Sequence, residues 1–201
     1  TARVQVIHNA ADVAAETVDV YLDDAMLIDG FKFRTASPFI DAPAGEEISI
    51  DIAPGNSSSA ADAIYTLNTT LGIGETYVLV ASGIVSSSGY DPATAFDIDV
   101  YAMGREMASS SGNTDVLVYH GSTDAPVVDI YEKTAGELVN DLAYSEFSST
   151  YLELATADYT LEVRDGTGSS IVASYSAPLS ILGLEDSAIV VVASGFLTPS
   201  D

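Results

Sequence analysis

The chain has 201 residues, 47% of them hydrophobic, with a mean hydropathy of +0.25, which suits two domains of ordinary size and is too apolar for a disordered chain. Thirty acidic residues face six basic ones, a net charge of −24, and this excludes nucleic acid and anionic membrane surfaces, both of which need clustered Lys and Arg. There is no Cys, so disulfides, thiol catalysis and thiolate metal sites are excluded, and no apolar run is long enough to insert in a membrane as a helix.

In chain order, Val4-Gln5-Val6-Ile7-His8 reads as a first strand that ends on one of the only two histidines, with Asp12 four residues on. Val18-Asp19-Val20-Tyr21 follows, then Asp23-Asp24 in a hairpin and turn signals at Asp29-Gly30, Pro43-Ala44-Gly45 and Pro54-Gly55-Asn56. Between the last two turns Ile48, Ile50 and Ile52 alternate with Ser49 and Asp51, one apolar face and one polar. Val78 to Ala81 is a continuous apolar run, expected to be a strand buried on both sides, and it leads into Ala81-Ser82-Gly83. Asp97-Ile98-Asp99-Val100-Tyr101 is another alternating strand. Ala108 to Asn113 is small and polar, as expected of a flexible linker.

Beyond it the pattern returns at an offset of 110 to 112 residues. Val116-Leu117-Val118-Tyr119-His120 repeats the first strand, with Asp124 four residues after the histidine. Val128-Asp129-Ile130-Tyr131, Tyr151-Leu152-Glu153 and Tyr159-Thr160-Leu161-Glu162-Val163 repeat Val18 to Tyr21, Phe39 to Asp41 and Ile48 to Ile52. Ile189 to Ala193 reads as a second doubly buried strand, and Ala193-Ser194-Gly195 repeats Ala81 to Gly83. The expected fold is all-β: two tandem immunoglobulin-like antiparallel β-sandwich domains over 1–107 and 114–201, joined by 108–113. After Phe196 no counterpart of Asp97–Tyr101 follows. Either the natural protein runs on past Asp201 or the second sandwich leaves an edge open to a strand from another chain.

The combination Val-x-Val-x-His-x3-Asp, Val-Asp-Val-Tyr, an Ala-Gly turn and Ala-Ser-Gly resembles the DUF4397 family of secreted and surface domains. The residues are His8, Asp12, Val18 to Tyr21, Ala44-Gly45 and Ala81 to Gly83, and then His120, Asp124-Ala125-Pro126, Val128 to Tyr131 and Ala193 to Gly195. The first copy departs at Asp12-Val13-Ala14, and the second has no Gly in Ala155-Thr156-Ala157. The resemblance implies an immunoglobulin-like sandwich in an extracellular or cell-surface setting. It implies no catalytic residues, since the family is one of unknown function.

The residues themselves point the same way. His8 with Asp12 and His120 with Asp124 are expected to be structural clamps, each imidazole bonding loop backbone or the carboxylate, because a catalytic site rarely appears twice in one chain. No Gly-x-Ser-x-Gly, His-Glu-x-x-His or phosphate-cradling loop occurs, so no enzyme is expected. Calcium is the one candidate cofactor, on Asp91, Asp97 and Asp99 or at Asp23-Asp24; the alternative is a solvated acidic face. Asn56-Ser57-Ser58 and Asn68-Thr69-Thr70 fit the N-glycosylation sequon, in or beside Ser/Thr-rich, loop-like segments. The acidic excess repels itself and is relieved by salt, since the Debye length falls to ~3 Å at 1 M, so a marine or halophilic setting is expected. The leading expectation is an extracellular structural or adhesive surface protein that self-associates, or joins other surface proteins, by strand exchange into a filament or layer. The alternative is a carbohydrate- or calcium-binding module, for which Tyr65, Tyr77, Tyr90, Tyr119 and Tyr144 are the aromatic material.

Overall fold

The computed structural model describes residues 1–199 and divides into two compact units. One takes Thr1–Gly104 with Ser194–Phe196, the other Arg105–Ala193 with the residues from Leu197 on. Each is an immunoglobulin-like β-sandwich, built because alternating apolar residues give every strand one face that must leave water.

In the first unit one sheet holds β1 (Ala2–His8), β4 (Thr35–Ala36), β5 (Ile40–Ala42), β8 (Thr76–Ser82) and β9 (Asp97–Tyr101). Its order is β4-β1-β8-β9, with β5 also paired to β1. The facing sheet holds β2 (Thr17–Leu22), β3 (Ala25–Lys32), β6 (Glu47–Pro54) and β7 (Tyr65–Thr70) in the order β3-β2-β6-β7. Val4, Val6 and Leu79 from the first sheet pack against Val18, Val20, Ile48, Ile50 and Ile52 from the second. The pairings are antiparallel except β1 with β8, which run parallel with Val4 opposite Tyr77 and His8 opposite Ala81. A parallel pair needs a long crossover, and the whole second sheet supplies it.

The second unit has β10 (Asn113–Ser122), β13 (Leu152–Ala155) and β16 (Ala188–Gly195) in the order β13-β10-β16. Facing them are β11 (Val128–Glu132), β12 (Gly136–Leu142), β14 (Asp158–Asp165) and β15 (Ile171–Pro178) in the order β12-β11-β14-β15. Val116, Val118, Val128, Ile130, Leu142 and Leu179 form its core.

Four expectations are corrected. Asp29-Gly30 is not a turn but lies inside β3, where Gly30 (φ 63°) carries a β-bulge opposite Val18 to Val20. The chain reverses instead at Asp23-Asp24, both left-handed (φ 47° and 65°), as a two-residue hairpin requires. Asn68, expected in or beside a loop-like segment, lies within β7, with its side chain exposed. The run Ile189 to Ala193 is not buried on both sides. Val191 is 37% exposed, whereas β8, flanked by β1 and β9, buries every residue from Tyr77 to Ser82. Identical apolarity gives different burial because β16 is the outermost strand of its sheet among the described residues.

The segment 108–113, expected to be flexible, is bonded into the second unit. The Ala108 N–H donates to the Asp186 carbonyl, Ser109 N–H to the Asp115 carboxylate and Gly112 N–H to the Asp186 carboxylate. Arg105 ion-pairs with both Asp115 and Glu153 and lies over the Tyr151 ring, 4.9 Å from its centroid.

Candidate functional site

The residues that recur in both repeats gather at one end of each sandwich. His8 closes β1 and is fully buried, and its Nε2 lies 2.7 Å from the Ala15 carbonyl oxygen. A carbonyl only accepts, so Nε2 carries the proton, and Nδ1 accepts from the Ala10 N–H at 3.4 Å. His120 repeats the arrangement with the Pro126 carbonyl at 3.0 Å and the Ser122 N–H at 3.4 Å. Burial lowers both histidine pKa values below the usual 6.5, against an opposing pull from the carbonyl each one bonds. Both rings are therefore neutral at pH 7, with each nitrogen engaged by backbone.

The carboxylates four residues on take other partners. Asp12 caps the short 3-10 turn Val13–Ala15 through the Ala14 N–H at 2.9 Å. It also reaches the segment after β8, accepting from the N–H groups of Val85 (2.8 Å) and Ser86 (2.7 Å) and from the Ser86 hydroxyl (2.7 Å). Asp124 accepts from the N–H groups of Leu197 (2.7 Å) and Thr198 (2.8 Å), at the same place after β16, and from the Ser122 hydroxyl at 3.2 Å. Burial pushes both carboxyls up, but these donors together hold them below the usual 3.8. Each carboxylate thus ties the loop after the first strand to the loop after the Ala-Ser-Gly strand. Gly83 (φ 92°) is needed there, since a Cβ on it would lie 2.4 Å from the Ala95 carbonyl oxygen.

Two further repeated pairs escaped the sequence reading. Asp19 and Asp129 are 1% and 2% exposed, although alternation assigns them to the polar face. Asp19 accepts from the bulge N–H of Gly30 (2.9 Å) and from the N–H (3.2 Å) and hydroxyl (2.6 Å) of Ser57. Asp129 accepts from the N–H of Asp141 (2.7 Å), which replaces Gly30 at the matching bulge and is likewise left-handed (φ 52°). Burial raises the Asp19 pKa and the Ser57 and Gly30 donors outweigh it, leaving it below 3.8. Ser37 and Ser148 each donate their N–H to a carbonyl of the first strand of their unit, that of Val6 or Val118, and accept the N–H of the same residue on Oγ. The signal for these pairs lay in the repeat itself, at the offset that aligns the histidines.

The remaining candidates are dispersed. Asp91 is exposed, and Asp97 is occupied by the Tyr65 hydroxyl and the Ile98 N–H at 2.8 Å; Asp99 is half-buried on the same strand. Asp23 accepts the N–H of Ser49, in the neighbouring strand β6, at 2.9 Å. Among the described residues no group of three or more His, Asp or Glu side chains is placed to hold a metal ion. Asn56 and Asn68 are both exposed. The tyrosines form no common platform: Tyr77 and Tyr119 are buried, Tyr65 serves Asp97, Tyr90 accepts the Val13 N–H at 2.9 Å, and Tyr144 stands edge-on to His120 at 6.3 Å.

The profile of a family described as "Domain of unknown function (DUF4397)" matches residues 2–131, more than half of the chain, running from β1 into β11. No curated protein matches the sequence. Among solved structures, one described as "Alpha-glucan binding by a streptococcal virulence factor" aligns over 100% of this chain and 95% of its own. The identity is 8% and the TM-score 0.29, a likeness too loose to carry any argument about a ligand.

Proposed function

The chain belongs to the DUF4397 family, and we propose that it works as a non-catalytic structural or adhesive module at the outside of a cell, associating with copies of itself or with other surface proteins through its sheet edges. One observation carries this reading. The buried histidines and aspartates that recur in both repeats are engaged by the chain's own backbone. A general base must offer a nitrogen or oxygen to a substrate, and these rings spend both nitrogens on fixing loops. Such clamps suit a module that must hold its shape. The charge of −24 fits an exterior, saline setting, where self-repulsion is screened while solubility is kept. A carbohydrate- or calcium-binding role stands second, because the tyrosines and carboxylates it would draw on lie apart.

The test is negative-stain electron microscopy with light scattering on the protein in molar salt. Filaments, sheets or a defined oligomer are expected as concentration rises. A single-chain mass at every concentration and salt would remove the assembly reading.

A further inference from the structure

The two repeats differ at three positions that meet at one point. At the start of each sandwich a residue of the first strand faces one of its neighbour. Arg3 lies opposite Asp41 between β1 and β5, and Asp115 lies opposite Glu153 between β10 and β13. Arg3 and Asp115 are equivalent: each donates its N–H to a matching carbonyl, that of Glu75 or of Ser187. In the first unit the facing pair has opposite charges, with Arg3 Nη1 3.5 Å from Asp41 Oδ1. In the second it is two acids. Like charges directly opposite on neighbouring strands are destabilising, and Asp115 is fully buried, which adds the cost of taking a carboxylate out of water.

The missing cation comes from outside the repeat. Arg105 Nη1 bridges Asp115 Oδ2 and Glu153 Oε1. The third difference serves the same residue. Tyr151 stands where the first unit has Phe39; its ring lies against the guanidinium and its hydroxyl accepts the Arg105 N–H at 3.0 Å, a bond that Phe cannot make. Where the first unit carries Arg3, Phe39 and Asp41, the second carries Asp115, Tyr151 and Glu153, and all three hold Arg105. Among the described residues Asp115 Oδ1 has no hydrogen-bond partner. The bonds on Oδ2, from Arg105 and from the Ser109 N–H at 2.8 Å, therefore carry the whole compensation for this buried charge.

We infer that Arg105 is a latch. It closes the segment 105–112 as a strap on the second sandwich and supplies there the positive charge that the first sandwich carries on Arg3. The other bonds of the strap, from the Ala108 N–H to the Asp186 carbonyl and from the Gly112 N–H to the Asp186 carboxylate, fasten it to the same unit. Strap and sandwich depend on each other: without Arg105 the strap loses its anchor, and the β10–β13 pair keeps two facing acids, one of them buried. The second sandwich is complete only from Arg105 on, not from the start of its repeat. The latch is independent of the assembly reading.

Hydrogen exchange on the full chain tests this, because it reads the amides of the two units and of the strap separately. Arg105→Ala should raise the opening constants of the Val116 and Val118 amides by about a hundredfold or more. It should also strip protection from the Ser109 amide. Arg3→Ala, which breaks the exposed pair of the first unit, should change the Val4 and Val6 amides by less than about fivefold. The decisive variant is Arg105→Ala with Asp115→Arg, which sets opposite Glu153 the residue that the first unit sets opposite Asp41. It should bring Val116 and Val118 back to within about tenfold of the parent while the Ser109 amide stays unprotected, since the strap has nothing left to hold. Arg105→Ala with Asp115→Asn, which removes the buried charge instead, should recover part of the loss even if Arg105→Ala alone does not fold. A change below about fivefold in Arg105→Ala, a Ser109 amide still protected in it, or double variants no more stable than Arg105→Ala would each overturn the latch.

Discussion

The Nε2 of His8 donates to the carbonyl oxygen of Ala15 across 2.7 Å, so a buried ring at the end of β1 fixes the loop that leads into β2. Replacing it with Ala removes that bond, orphans the carbonyl and leaves a cavity against Phe31 and Phe33, whose rings lie 5.8 and 6.2 Å away. The expected loss is about 2–4 kcal/mol. His120→Ala, with a longer bond of 3.0 Å, should cost less. Equilibrium urea unfolding checks both, and a His8→Ala variant within about 0.5 kcal/mol of the parent would show that the ring is not a clamp.

The buried carboxylates of Val-Asp-Val-Tyr carry unequal loads. Asp19→Ala leaves the Gly30 N–H without a partner and removes both bonds from Ser57, which keeps the Pro54 carbonyl and the Tyr21 hydroxyl, and the expected loss is about 2–3 kcal/mol. Asp129→Ala deprives only the Asp141 N–H, and about 1–2 kcal/mol is expected. Hydrogen exchange should show the Gly30 amide losing protection in the first variant. Equal costs at the two sites, or an unchanged Gly30 amide, would contradict the assignment of these residues to the bulges.

Acid should destabilise the protein in two steps. The folded-state pKa of His8 and His120 is lowered from 6.5, so their contribution is complete above 6.5 and is lost as pH falls through the folded values. For Asp12, Asp19 and Asp124 the folded pKa lies below 3.8, and their contribution is lost only as pH falls below that value. Measured in molar salt, where overall repulsion is screened, stability should begin to fall below pH 6.5 and then fall more steeply below 3.8. A double His8→Ala, His120→Ala variant should lack the first step. Retention of that step would assign it to other groups.

Much of this was legible in the chain. The alternation of Ile48, Ile50 and Ile52 gave β6 its inward face, and the recurrence of His-x3-Asp placed equivalent loops at equivalent ends. Asp19 was not legible as a buried residue, because alternation marks only which face a side chain leaves by. Its partners, the Gly30 and Ser57 amides, are brought over that face by tertiary structure. Asp29-Gly30 has the composition of a turn because a left-handed bulge and a left-handed turn ask for the same residues. Val191 looks like Leu79 in sequence, and only the strand beside it decides whether it is buried.

The surface should make stability depend on salt. Thirty acids against six cations leave most carboxylates without a partner of opposite sign, and at low ionic strength they repel over ~30 Å at 0.01 M against ~3 Å at 1 M. The melting temperature should therefore climb from millimolar to molar NaCl, and KCl should act alike if screening rather than site binding is responsible. Glu46 and Glu185 are exposed, one in each unit. The double variant Glu46→Lys, Glu185→Lys removes charge without touching a core, so it should raise the melting temperature in low salt and lose that advantage in high salt. Surface charges each contribute only tenths of a kcal/mol, so the variant's shift is a few degrees at most. A melting temperature indifferent to salt would detach the acidic surface from any saline setting, whereas a rise with NaCl alone would indicate a bound ion.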